Sequence, residues 1–245
     1  LRSVVNAGVF ACSGDTYYKE NDLPYISMEA KQGVHIAAAD AWGNDKPIPG
    51  TKQITDDYTT QQWTDGGLEI IHSSFVMDLS IPAAIDGHPM KRISANAFSY
   101  GNEELWRVTI PSSVSFIGKS AFSSAGIHTI SIPEGVQTIE NFTFLNCKRL
   151  YEVGLPATLT RINPGAFLGC TTLLSISLPE GLTSIGAQAF GSCKSLHTLT
   201  IPESVTDIDA DAFIDCPELI LLVYQGSYAE QYVNEHHIRH DLIRI

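Results

Sequence analysis

Leu196-His-Thr-Leu199-Thr-Ile201-Pro202-Glu-Ser-Val205-Thr-Asp-Ile208-Asp-Ala-Asp-Ala212-Phe213-Ile-Asp-Cys216 is the stretch whose reading decides the fold. Leu199 and Ile201 alternate with polar Thr198 and Thr200, a period of two that predicts a short strand with one face inward. Pro202 cannot donate to a ladder and closes that strand. The chain then turns through Val205 and Ile208 to an Ala-Phe step too short for a long helix, which predicts a turn or a single helical turn with Phe213 in the core.

The unit recurs. Phenylalanine follows isoleucine by five residues at Ile93 and Phe98, Ile117 and Phe122, Ile139 and Phe144, Ile162 and Phe167, Ile185 and Phe190, and Ile208 and Phe213. Successive isoleucines lie 24, 22, 23, 23 and 23 residues apart. An apolar-Pro pair keeps step at Ile110-Pro111, Ile132-Pro133, Leu155-Pro156, Leu178-Pro179 and Ile201-Pro202, with an earlier member at Ile81-Pro82. One such unit cannot bury its own apolar face, whereas stacked copies form a continuous core, so the pattern predicts a mainly β solenoid with a parallel strand ladder. Strands one repeat apart are expected ~4.8 Å from each other, which turns every repeated position into a column.

The pattern L-x-x-L-x-I-P-x-x-V-x-x-I-x-x-x-A-F-x-x-C resembles that of the BspA-like leucine-rich-repeat family of bacterial surface proteins. The segment Ile81-Pro-Ala-Ala-Ile85-Asp-Gly-His-Pro-Met-Lys-Arg-Ile93 is similar to the opening repeat of that family, and Gly226-Ser-Tyr228-Ala-Glu-Gln-Tyr232-Val-Asn-Glu235 resembles the helical segment that closes many such arrays. The resemblance runs from about Leu68 to Ile245. It implies a leucine-rich-repeat solenoid, a secreted or cell-surface location and a role in adhesion or host-protein interaction.

The expected organisation has three parts. Residues 1–67 form a β-rich module or enlarged N-terminal cap, with the strand-like Val34-His-Ile-Ala-Ala and with Trp42, Tyr58 and Trp63 for a small core. Residues 68–225 form the solenoid, entered through strands at residues 68–71 and 75–79. Residues 226–245 close it with a helix burying Tyr228, Ala229, Tyr232 and Val233, followed by a strand through Leu242, Ile243 and Ile245.

The balance of 27 acidic against 15 basic side chains gives a formal net charge of -12, which disfavours phosphate backbones, so no nucleic-acid partner is expected. Hydrophobic residues at 44% and charged residues at 17% fit a folded chain. No apolar run of about 18 residues is present, so no transmembrane segment is expected. A first residue of Leu1 rather than Met suggests that an upstream leader was removed.

Cys147, Cys170, Cys193 and Cys216 recur every 23 residues, three positions after the repeat Phe, where earlier coils carry Gly101 and Ala125. That equivalence points to a small buried side chain rather than to metal ligation, although adjacent coils are near enough that a disulfide stays open. Cys12 lies outside the pattern. His236, His237 and His240 lack a fixed acidic third ligand, and exposed polar caps use histidine freely, so no metal and no cofactor are expected. No nucleophile elbow, zincin pair or phosphate loop occurs, and the acid pairs Glu103-Glu104 and Asp56-Asp57 read as solvated turns. Asn141-Phe-Thr143 satisfies a glycosylation pattern that a bacterial origin would leave idle.

What remains is the outward surface. Beside the inward strand residues run Arg107, Thr129, Glu152, Ser175 and Thr198, and then Thr109, Ser131, Gly154, Ser177 and Thr200, mostly small and polar. Just before them lies a bulkier column, Trp106, His128, Tyr151, Leu174, His197 and Ile220. Rigid rings supply contact area at little entropic cost, which makes Trp106, Arg107, His128, Tyr151, Glu152 and His197 the candidate ligand-binding residues. Packing of these rings over the coil edge is the plainer alternative. The expected function is therefore a non-catalytic module that binds a host or neighbouring surface protein. Alternatives are recognition of a glycan by the aromatic column, a structural spacer, and an enzyme seated in residues 1–67.

Overall fold

The computed structural model of the protein describes residues 45–54, 58–73, 77–99 and 102–244. Expectations placed on Cys12, Val34, Trp42, Asp56, Asp57, Phe75, Gly101 and Ile245 lie outside the described residues.

The compact unit runs over Pro47–Ile245 and is a β-solenoid whose coils repeat two short strands and a turn. The first ladder joins β4 (Asp78–Ser80), β7 (Arg107–Thr109), β9 (Thr129–Ser131), β11 (Glu152–Gly154) and β13 (Ser175–Ile176), all parallel. β15 (Thr198–Ile201), β17 (Ile220–Tyr224) and β18 (His240–Ile243) form a further parallel sheet. The second long ladder runs through β10 (Thr138–Ile139), β12 (Arg161–Ile162), β14 (Ser184–Ile185) and β16 (Asp207–Ile208). The registers Glu152 to Ser175 and Ile162 to Ile185 reproduce the 23-residue interval. The alternation predicted for Thr198, Leu199, Thr200 and Ile201 is observed as exposed, buried, exposed, buried.

The Ala-Phe steps are turns, and each Phe is held by the backbone on both sides. Residues two before it, Ser120, Phe142, Gly165 and Gln188, and two after it, Ser124, Asn146, Gly169, Ser192 and Asp215, take left-handed φ values. Non-glycine residues enter that region at a cost, so something must over-determine it. Bonds between coils do so: Phe122 N–H donates to the Thr143 carbonyl at 2.9 Å, Phe144 to Ala166 at 2.8 Å and Phe167 to Ala189 at 2.8 Å. The rings of Phe98, Phe122, Phe144, Phe167, Phe190 and Phe213 consequently stack nearly parallel, with centroids 4.9 to 5.7 Å apart.

Beside the rings run the thiols. Cys147, Cys170, Cys193 and Cys216 are free, and each donates to a Phe carbonyl of the preceding coil at 3.0 to 3.2 Å. Burial pushes all four pKa values up, that of Cys216 to about 11, since it is less covered than the rest. In the short coil, Ala125 takes the cysteine position and Gly126 absorbs the missing residue: a Cβ there would collide with the Glu103 carbonyl oxygen.

The entry to the solenoid is antiparallel. β1 (Gln53–Ile54) pairs with β2 (Tyr58–Gln62), β2 with β3 (Leu68–Ser73), and β3 lies parallel to β6 (His88–Ile93), which forms a hairpin with β5 (Ala84–Ile85) and pairs parallel with β8 (Phe116–Ile117). Trp63 is buried here, as expected, but its partner is a charge. The guanidinium of fully buried Arg92 lies 4.2 Å from the Trp63 ring and donates twice to Asp65, at 3.2 and 2.8 Å. Lys91 also pairs with Asp65 at 3.0 Å, and Trp63 Nε1 donates to Glu69 at 3.0 Å. The Arg92 bonds, then the Gly67 N–H and Lys91, hold the Asp65 carboxyl well below the usual carboxylate range, against the opposing cost of burial.

At the far end, Ser227 accepts from Glu230 N–H at the start of α1 (Tyr228–Glu235), which buries Ala229, Tyr232 and Val233. Tyr228 differs from expectation. As the first helical residue it is 38% exposed, whereas Ala229, Tyr232 and Val233 are buried. Tyr232 meets Phe213 edge to face at 6.2 Å.

Three outcomes are expected. Phe167→Ala removes a ring packed between two others and should cost about 3–5 kcal/mol in denaturant unfolding; a cost below about 1 kcal/mol would contradict the stack. Asp65→Asn should cost about 3 kcal/mol at neutral pH by removing the carboxylate to which buried Arg92 donates twice. Because the folded-state pKa of Asp65 is depressed, its stabilisation is present above the ordinary carboxylate pKa of about 4 and lost as pH falls below it. The gap between wild type and Asp65→Asn should thus narrow between about pH 4 and pH 2. Iodoacetamide applied to the native protein should label Cys216 ahead of Cys147, Cys170 and Cys193, read by peptide mass spectrometry; equal labelling would contradict the burial order.

Candidate binding surface

Two parallel sheets lay out the predicted column, one from Trp106 to Leu174 and the next from His197 to Ile220. His128 N–H donates to the Trp106 carbonyl at 3.0 Å, Tyr151 to His128 at 3.0 Å, Leu174 to Tyr151 at 3.4 Å and Ile220 to His197 at 2.8 Å. The backbone therefore fixes the spacing of these side chains independently of their own contacts. Trp106, Tyr151 and Leu174 are 48%, 43% and 55% exposed, well above what core packing leaves to residues of this kind.

Ring contacts order one end of the row. Trp106 meets His128 edge to face at 5.7 Å, and His128 lies tilted against Tyr151 at 6.3 Å. His128 is half-buried between its two neighbours, so Trp106 and Tyr151 are braced through it. The rings pack on adjacent coils, while Trp106 and Tyr151 still present nearly half of their surface to water. His197 is exposed further along, with Nδ1 2.6 Å from the Ser195 carbonyl oxygen.

Arg107 and Glu152 stand on the adjoining column with their side chains outward, as the exposed-buried-exposed pattern of β7 and β11 requires. Arg107 reaches Asp78 at 3.6 Å, an exposed pair worth little in stability and open to exchange for another anion. The next column is nearly flat. At Gly154 an added Cβ would press on Ser131 Oγ, so the strand face beside the bulky row is kept low.

One member of the row escaped the sequence reading. Met77 is 60% exposed, and its carbonyl accepts from Trp106 N–H at 2.7 Å, which places it one coil before Trp106. The Ile81-Pro82 pair carried the signal, since Met77 stands five residues before Pro82 as Trp106 does before Pro111, and the register of Asp78 against Arg107 agrees with it. The Arg92, Asp65 and Trp63 cluster was likewise unread, because its members are separated by turns without a motif.

No helix among the described residues is long and apolar enough to cross a membrane. A comparison with curated proteins gives no match. The chain is similar to a leucine-rich cell surface protein from Faecalibacterium prausnitzii, at 23% identity over 73% of this chain and 55% of that one, with a TM-score of 0.59. It is also similar to a leucine-rich repeat protein from Eubacterium ventriosum, at 24% identity over 65% of this chain and 50% of that one, with a TM-score of 0.50. A leucine-rich repeat protein of T. pallidum is 26% identical over 71% of each chain, with a TM-score of 0.49. The chain thus spans about half the length of the first two. The family model described as the BspA type leucine rich repeat region matches six copies over residues 91–220, more than half of the chain. With its repeats in register over that span, the chain belongs to the BspA-type leucine-rich-repeat family.

Proposed function

We propose that this protein is a non-catalytic recognition module that binds another protein at or outside the bacterial cell surface through the strand face bearing Met77, Trp106, His128, Tyr151, Leu174 and His197. One observation carries the reading: an exposed row of large side chains, spaced by the backbone itself and bordered by low polar columns. From Met77 to Ile220 the row spans about 29 Å at the usual strand spacing, enough for a protein epitope. Trp106 and Tyr151 are the anchors, since braced rings lose little freedom on binding, and Arg107 and Glu152 at the border select for charge.

In this reading residues 68–225 carry recognition, residues 1–67 form a leading module and residues 226–245 cap the stack. The capped start of α1 and the Tyr232 ring on Phe213 support the last assignment. The surface location is supported by the family and by the name of the Faecalibacterium protein of similar fold.

The immobilised full chain should capture an extracellular-matrix or bacterial surface protein, and Trp106→Ala with Tyr151→Ala should weaken that capture at least tenfold, measured by biolayer interferometry. Undiminished capture by the double variant would remove the row from the interface. Capture of surface glycans in place of protein, lost in the same variant, would reassign the row to sugar.

A further inference from the structure

The exposed row is nearly symmetric about the coil of His128. Two coils to either side of it stand the apolar Met77 and Leu174, and one coil to either side the rings of Trp106 and Tyr151. The bordering charges change sign across the same coil. Arg107 lies level with Thr129 in the next strand, and Thr129 with Glu152 in the one after, so a cation and an anion flank β9 at equal distances. At the corner before the row, exposed Glu103 and Glu104 belong to the coil of Trp106, and exposed Lys148 and Arg149 to that of Tyr151. The stretch between them, residues 125–131, carries no carboxylate, lysine or arginine, and His128 and Thr129 within it are half-buried. Glu152, Lys148 and Arg149 form no ion pair among the described residues; Arg149 instead donates to the Glu103 carbonyl at 3.3 Å.

We propose that this face takes a second copy of the chain, docked face to face about a two-fold axis that runs along β9. Resting on the reading of the row as a recognition surface, the pairing supplies its occupant. A half-turn about a line parallel to the strands reverses the order of the coils and keeps every position along a strand level, so β7 of one copy lies over β11 of the other. Sheets packed face to face keep their strands within about 30° of each other, and this arrangement does so. Arg107 then meets Glu152 of the second copy, Trp106 meets Tyr151 and Met77 meets Leu174, while Glu103 and Glu104 approach Lys148 and Arg149. Each contact occurs twice, as isologous pairing requires. Charge selects this arrangement over its neighbours. A two-fold along the stack lays each coil on its own equivalent and opposes Arg107 to Arg107, and a slip of one coil toward the first strand sets Glu152 over Asp78. The matched part covers five coils, about 19 Å of ladder, which places the interface at the small end of the range, where complexes are weak and exchange readily.

Sedimentation equilibrium of the full chain between about 10 µM and about 1 mM should show a reversible monomer to dimer equilibrium. Arg107→Glu and Glu152→Arg, two exposed substitutions checked by circular dichroism, should each weaken it at least tenfold, because each alone sets two like-charged pairs across the axis. Mixing the two single variants in equal amounts should bring association back to near the wild-type level, since one copy then offers two carboxylates to two guanidinium groups of the other. A monomer throughout this range, undiminished association of either single variant, or no recovery in the mixture would each overturn the proposal. Those results leave the row standing where Trp106→Ala with Tyr151→Ala still loses capture of a surface protein. Unchanged capture and unchanged self-association in that variant would remove the row itself, and this pairing with it.

Discussion

Every coil must bring its backbone donors level with the carbonyls of the next, and this condition governs the rest of the molecule. It is met along both strand ladders and again at the phenylalanine turn, where Phe122, Phe144, Phe167 and Phe190 each donate forward by one coil. Once the polar groups are paired this way, side chains at equal positions are forced together whether or not they attract. The parallel Phe stack is the favourable result inside, and the row from Met77 to Ile220 is the corresponding result outside. A left-handed φ at Phe142 or Gln188, costly in isolation, is tolerated because bonds to the following coil hold it, Phe142 N–H donating to the Pro164 carbonyl and Gln188 N–H to Asp211 Oδ1.

The first described coil solves its end problem with charge. Arg92 takes a place that later coils give to polar residues exposed on one side, such as Arg161 and Ser184, and is fully buried under Trp63. Burial of a guanidinium is expensive unless a carboxylate and a ring receive it, and Asp65 and Trp63 do both from the antiparallel entry hairpin. The last Phe ring instead meets an aromatic side chain from a helix, Tyr232.

The solenoid was legible because its signal is repeated. Period-two alternation at Leu199 and Ile201, the proline stop and the fixed Ile-to-Phe offset each recur in step, so errors at one coil are corrected by the others. The bulky outward column was legible for the same reason. Positions that occur once were not. Nothing in the sequence distinguishes Trp63 over a guanidinium from Trp63 in an apolar cluster, whereas Met77 was legible from its offset to Pro82 and was passed over. Tyr228 was assigned to the buried face by helical spacing alone, whereas its position before the first full turn turns it outward. The turn conformation around each Phe escaped notice too, since serine, asparagine and glutamine carry the left-handed φ there alongside glycine.

Gly126 shows how this architecture tolerates change in length. The coil from Ile117 to Ile139 is one residue short, yet its strands keep register with Arg107 on one side and Glu152 on the other, because the deficit is confined to a corner where the chain passes against the Glu103 carbonyl. Register is therefore set at the strands and slack is taken up at one bend. A one-residue change in coil length is absorbed at that corner and leaves the spacing of the outward row intact.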